Sequence, residues 1–332
     1  MALSEAFVDQ HIAHWQGQLT GASYAHRRHW PSHLFHHAPL ENAVGILLDG
    51  CLRSRNDPNN RRSRDVAAPG VIDARNHAHD SVRLYFRPKT PTQWNIEGIR
   101  KPGECKYERE NGEEAHAPVL VMFLLDARSV LTLPDIKFSD RNMQLKYAAA
   151  GDDEPYFAQI PFAKVYSEGK TGGDRSYTDA RCAEVLAPSP LNLDGILRSI
   201  CLRSEPEKET LLHMLGDRRA DWERFCHVSD ALKVFLKEYT FVDELRLTSE
   251  GIIFRLNVRK DGKPIQVKID VWDGAEHHIV DFYNDSHAAV PSDPRSSWIL
   301  QHPLPRDMYR VEVRLEGHLA YQSYMVLGDT LF

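Results

Sequence analysis

The 332-residue chain carries only five cysteines (Cys51, Cys105, Cys182, Cys201, Cys226), widely spaced and with no Cys-x-x-Cys pair. An odd, scattered set excludes a disulfide framework and a zinc ribbon. No run of eighteen apolar residues occurs, so no membrane-spanning helix and no membrane partner are expected. The stretch Met1 to Gln18 is polar and lacks the apolar core of a secretion signal, which predicts a cytoplasmic protein. Positive charge is not in excess: the net charge is -6, so the whole-protein field does not favour nucleic acid. Gly-x-Ser-x-Gly is absent, and Lys170-Thr171-Gly172-Gly173 lacks the order of a phosphate-binding loop. Internal repeats and long low-complexity segments are missing too.

What is present is an ordinary globular composition, 42% hydrophobic and 27% charged, at a length that suits two domains. Residues 1–30 are partly helical up to a break at Pro31, and His33 to His37 is a short strand candidate. Pro39 to Gly50 predicts a short helix, with proline in its first turn, Ala43, Val44 and Leu47 on one face, and glycine at its stop. Between Arg53 and Arg64 lie five arginines and one acid, Asp57, in a stretch rich in Asn and Pro. This is either a solvated loop or one whose arginine forks meet phosphate oxygens.

Val82, Leu84 and Phe86 alternate with Arg83, Tyr85 and Arg87, which predicts a half-buried strand closed by prolines. Gly98 to Ala117 is a turn-rich surface insertion, whereas Pro118 to Leu125 carries no charge and predicts a strand buried on both faces. Ser139 or Asp140 is placed to cap a following helix. Glu205 to Phe241 has helical spacing, with Gly216-Asp217 as a possible break. From Val242 the pattern turns to strands. A tight hairpin is expected at Lys260 to Lys263 and a second at Gly317, making an antiparallel, sandwich-like domain.

Arg181-Cys182-Ala183-Glu184-Val185-Leu186 puts one carboxylate inside an apolar run. Glu184 is then either a solvent-facing residue of an edge strand, paired to an arginine, or a carboxylate at the floor of a cleft. Metal ligands are sparse. The N-terminal histidines His11, His14, His26, His29, His33, His36 and His37 lack a completing set, and Asp273, His277, His278, Asp281 and His287 read as loop polar residues before a metal-dependent nuclease.

An ordered constellation remains. It comprises Phe35-His36-His37-Ala38-Pro39-Leu40-Glu41-Asn42, then Ile72-Asp73-Ala74-Arg75-Asn76, then Tyr85 to Pro91, then Phe138-Ser139-Asp140-Arg141, then Ala183-Glu184-Val185-Leu186. In this order the motifs resemble the DarT-type ADP-ribosyltransferase toxins, which modify bases of single-stranded DNA using NAD. Phe35 stands where the family has Tyr, and Thr90 where it has Ser. The resemblance spans roughly residues 31–200 and is carried by the order of five short motifs.

The resemblance implies an α+β fold with a split β-sheet core of ADP-ribosyltransferase type. The expected division is an extension at 1–30, the transferase domain at 31–203, a helical connector at 204–240 and an accessory β domain at 241–332. It implies Glu184 and Arg75 as catalytic residues, and His36, His37, Asn42, Tyr85 and Phe86 at NAD, with only one of Tyr85 and Phe86 able to face the cleft. Arg53, Arg55, Arg61, Arg62, Arg64 and Arg141 would contact single-stranded nucleic acid. NAD is the substrate, with no metal. The acceptor is thymine or guanine in DNA, or a base of RNA. A cognate antitoxin is the expected partner, with a chaperone or other partner docking on the β domain. Glu184→Ala is expected to abolish transfer with little loss of folding, as suits a carboxylate facing a cleft.

Overall fold

The computed structural model describes residues 2–61, 63–64, 66, 78–105, 115–143, 145, 147–288, 297–328 and 330–331. Helix α1 (Glu5–Gln18) is capped by the Ser4 hydroxyl, and a 3-10 segment follows it through Pro31 to Ser32. Strand β1 (His33–Pro39) leads into α2 (Leu40–Asp49), which ends where Gly50 takes a left-handed φ of 72°. Two residues, Cys51–Leu52, form β2, and β3 is Val82–Tyr85. The uncharged run becomes β4 (Leu120–Asp126), with Leu120 to Leu125 all buried. β5 (Lys137–Ser139), β6 (Glu184–Ala187), β7 (Leu191–Asn192), β8 (Leu197–Leu202) and β9 (Cys226–Val228) complete the first unit.

Seven of these strands form one sheet in the order β5-β6-β3-β1-β4-β8-β9, antiparallel except for β8 and β9. β1 is its middle strand, and its two sides differ. It pairs with β4 over seven residues, from His33 to Pro39, but with β3 only at Phe35 opposite Tyr85. The sheet therefore splits beyond that pair, which is the opening that holds the candidate site. β2 and β7 make a separate two-stranded ladder.

The rest of the chain is a sandwich with its own core. β10 (Val242–Thr248), β11 (Gly251–Leu256), β14 (Trp298–Gln301) and β17 (Thr330–Leu331) form one sheet, ordered β14-β11-β10-β17. β12 (Ile265–Asp273), β13 (His278–His287), β15 (Met308–Leu315) and β16 (His318–Val326) form the other, ordered β13-β12-β15-β16. Alternate inward residues such as Leu245, Leu247, Val267, Ile269, Val311 and Val313 fill the space between them. The units are joined by buried contacts. Ile99 enters the sandwich core, Ser204 Oγ donates to the Val242 carbonyl, and Gln322 N–H donates to Thr210 Oγ1.

Several expectations change. The 205–241 segment is helical only at Glu205–Met214 and in short turns to Phe225. Cys226–Val228 then joins the central sheet, and no helix follows before β10. The turn at Lys260 to Lys263 does not close a hairpin, because β11 and β12 lie in different sheets. Arg259 pins this crossing by pairing with both Asp261 and Glu104. The Gly317 hairpin is formed, between β15 and β16. Ser139 caps no helix; its hydroxyl donates to the Arg141 carbonyl in a turn, and the next helix, Glu154–Gln159, is capped by Asp153. The stretch is also drier than its alternation suggested: β3 ends at Tyr85, and Tyr85, Phe86 and Arg87 are all buried. No helix among the described residues is long and apolar enough to cross a membrane.

Candidate active site

Where β1 and β3 part, a cleft of about 720 Å³ opens, within the roughly 300–1,000 Å³ range of small-molecule sites. One wall is His36 to Pro39 of β1 with Asn42 and Ile46 of α2; the other includes Ser81, Arg83 and Tyr85. Period-two alternation puts Arg83 and Tyr85 on the cleft face and Leu84 and Phe86 on the opposite one. Tyr85 accordingly stacks on His37 at 5.3 Å, with the rings 7° from parallel. Phe86 packs edge-on against Phe157 and Phe162, 1% exposed and away from the cleft. The expectation of a nicotinamide contact from Phe86 is therefore corrected: it is a core residue.

His36 Nδ1 lies 3.0 Å from the Arg83 carbonyl. A carbonyl only accepts, so Nδ1 carries the proton and Nε2 of the neutral ring keeps its lone pair. Burial lowers the pKa of His36 and, with His36 and Arg83 close by, takes that of His37 to about 3. Both rings are neutral at pH 7. Asn42 has a structural task here: its Oδ1 accepts from the Ser63 and Arg64 amides and its Nδ2 donates to the Arg64 carbonyl. It ties the basic loop to α2 through both ends of one amide.

Arg53, Arg55, Arg61 and Arg64 line the cleft. Arg53 is held by Asp49 and Asp57, and Arg64 lies 3.5 Å from Glu41, so part of the loop's charge is compensated internally. Arg141 is not among the lining residues; its fork closes on Asp140 at 2.9 and 2.6 Å, while its neighbour Asn142 does line the cleft. Arg62 and Arg75 lie outside the described residues.

Glu184 is the floor of this arrangement, one layer down. On β6 it sits directly opposite Tyr85, and it is 0% exposed. Oε1 accepts from Arg83 Nη2 at 2.7 Å, and Oε2 from the Met143 amide at 3.3 Å. It is neither a solvent-facing residue of an edge strand nor a carboxylate open to the cleft. It is paired to an arginine, but as a buried carboxylate on an interior strand, screened from the cleft by Arg83. Sequence reasoning passed over Arg83 as the polar half of an alternating strand. The signal was its two-residue offset from Tyr85, which fixes both on one face. Arg181 instead donates to Ser167 Oγ and the Gly169 carbonyl, away from Glu184.

Among the described residues no three His, Cys, Asp or Glu side chains are grouped to hold a metal. The sandwich residues considered for that purpose fall into separate contacts. Asp273 meets His277 and Arg306, His278 meets Asp270, and His287 packs on Trp298.

Residues 35–231, more than half of the chain, match the family model described as "DarT: ssDNA thymidine ADP-ribosyltransferase, DarT". Among solved structures, Thermus sp. 2.9 DarT in complex with ADP-ribosylated ssDNA is similar at 19% identity and a TM-score of 0.49, over 61% of this chain and 96% of that one. The same protein in complex with NAD+ is similar at 22% identity and a TM-score of 0.42, over 56% of this chain and 88% of that one. Thermosipho africanus DarTG in complex with ADP-ribose matches at 15% identity and a TM-score of 0.43, over 67% of this chain and 55% of that one. A search of curated proteins returns no match.

Proposed function

Because the chain belongs to the DarT family of ssDNA thymidine ADP-ribosyltransferases, we propose that it transfers ADP-ribose from NAD to a thymine base of single-stranded DNA. The observation that carries this reading is the matched segment itself, which contains both walls of the split-sheet cleft and Glu184 beneath it.

Cleaving the nicotinamide–ribose bond leaves positive charge on the sugar, and a carboxylate in a water-poor site is the group that stabilises it. Glu184 is assigned that role and the acceptance of the proton from the attacking base nitrogen, which requires its carboxylate, 0% exposed behind Arg83, to open to the cleft when NAD binds. His36, neutral and with Nε2 as an acceptor, suits a ribose hydroxyl and not a phosphate oxygen, which can only accept. The flat His37–Tyr85 stack offers a face to an aromatic ring. Arg75 is assigned to a phosphate on its motif position alone. The cleft arginines Arg55 and Arg61 meet the incoming strand's backbone, so binding weakens with salt.

Incubation with NAD and DNA or RNA oligonucleotides of each base, followed by mass spectrometry, tests the reading. An ADP-ribose adduct on thymine in DNA is expected. An adduct on guanine or on RNA reassigns the acceptor, and no adduct on any oligonucleotide overturns the proposal.

The biological role proposed is that of a toxin or phage-defence effector restrained by an antitoxin. Induced expression is expected to arrest growth, and Glu184→Gln to relieve the arrest. The two outer faces of the sandwich, which expose Tyr283 (56%) on one sheet and Ile299 (61%) on the other, are proposed for a protein partner. Full-length protein carrying glutamate at both positions is expected to lose that partner and keep transferase activity.

A further inference from the structure

One arginine stands between the buried carboxylate and the cleft. Arg83 Nη2 is 2.7 Å from Glu184 Oε1 and 3.4 Å from the Tyr85 hydroxyl. The same side chain lines the cleft and is 21% exposed, where Glu184 is 0% exposed. Its backbone is fixed on both sides: the carbonyl accepts from His36, and strand pairing sets it opposite Leu186. A guanidinium has five N–H donors in a rigid fork. The contacts to Glu184 and Tyr85 both use Nη2, while the side chain as a whole lines the cleft. With one nitrogen engaged on Glu184 and Tyr85, the exposed part of the fork leaves donors for an acceptor that arrives with the ligand.

We infer that Arg83 bridges substrate and catalytic carboxylate. One nitrogen holds Glu184, and the remaining donors take a phosphate oxygen, either of the NAD diphosphate or of the nucleic-acid backbone. The inference rests on the transferase reading above and adds a residue to it. It also answers an electrostatic difficulty. A cation on Oε1 offsets the charge that Glu184 can offer the ribose. A phosphate on the far side of the same guanidinium offsets that cation in turn. Substrate binding and a fully effective Glu184 are thereby linked through one side chain.

The test compares wild type, Arg83→Lys and Arg83→Ala as full-length proteins in steady-state transfer from NAD to a thymine oligonucleotide. Lysine keeps a positive charge but replaces the fork with a single point. Arg83→Lys is expected to raise one KM about tenfold or more, the scale of one lost charge-assisted hydrogen bond, and to lose less kcat than Arg83→Ala. A rise in KM for NAD assigns the phosphate to NAD, and a rise for the oligonucleotide assigns it to the strand. Arg83→Ala is expected to lose kcat about a hundredfold, with partial recovery on adding millimolar guanidinium. Both KM values unchanged in Arg83→Lys overturns the inference, as does a wild-type kcat in Arg83→Ala. If Arg83→Ala does not fold, the lysine variant decides. If wild type modifies no oligonucleotide, the transferase reading fails. Calorimetric Kd values of Arg83→Lys for NAD and for oligonucleotide then decide this one, and values equal to wild type for both refute it.

Discussion

Substituting Glu184 perturbs the fold as well as the chemistry, and the two effects separate by choice of replacement. Its carboxylate is fully buried and accepts from a guanidinium at 2.7 Å and a backbone amide at 3.3 Å. Alanine deletes both acceptors and strands the Arg83 charge against β6. Breaking one side of a buried ion pair costs about 3–5 kcal/mol. Arg83 keeps 21% exposure, so the lower end applies, about 3 kcal/mol. Glutamine keeps the shape and one acceptor oxygen but removes the anion and sets its NH2 against one of the two donors, which costs about 2 kcal/mol, less than alanine. The expectation that alanine here is nearly silent for folding is corrected on this account, since Glu184 lies beneath the cleft and not in its lining. Both variants are expected to lose transfer by at least about a hundredfold, so glutamine is the cleaner probe of chemistry. Urea unfolding followed by tryptophan fluorescence gives the stability, and mass spectrometry of the oligonucleotide gives the activity. Glu184→Ala as stable as wild type would refute the buried pair, and an active Glu184→Gln would refute the carboxylate's role.

Arg203 and Glu207 are both 0% exposed and paired one helical turn apart, with Arg203 stacked 4.7 Å from the Phe241 ring. Arg203→Met alone is expected to cost about 4 kcal/mol, and Arg203→Met with Glu207→Leu to recover most of it, read from a double-mutant cycle. His11 packs against Phe157 and Phe162, and burial holds its pKa at about 3 against 6.5. A depressed histidine pKa stabilises the fold above 6.5, and that stability is lost as pH falls from 6.5 towards 3. Between pH 7 and pH 5 the loss is about 2 kcal/mol; in urea melts at the two pH values, His11→Phe should remove that share of the difference. Gly251 has a φ of 148°, and a Cβ there would lie 2.1 Å from the Leu300 carbonyl oxygen. Gly251→Ala is expected to cost about 3 kcal/mol in thermal melts, because β14 must move off β11.

What the chain by itself determined was local. Eight uncharged residues from Pro118 specify a strand wet on neither face, and Leu120 to Leu125 are buried accordingly. Proline before and glycine after bound α2, and Gly50 takes the left-handed conformation that stops it. The order of short motifs was legible as well, and residues 35–231 match the family model accordingly. Tertiary contacts decided the rest. The turn signal at Lys260 to Lys263 is the same whether the flanking strands pair or separate, and only the two-sheet packing sends β11 and β12 apart. Helical spacing after Met214 competes with a free edge of the central sheet, and β9 pairs there with β8. Arg83 looks like any exposed residue of an alternating strand until β6 is laid beside β3. Register then brings its guanidinium to Glu184, 101 residues away. Periodicity and turn chemistry act over a few residues. Strand partners, and the burial that makes one charge require another, are set by segments far apart in the chain.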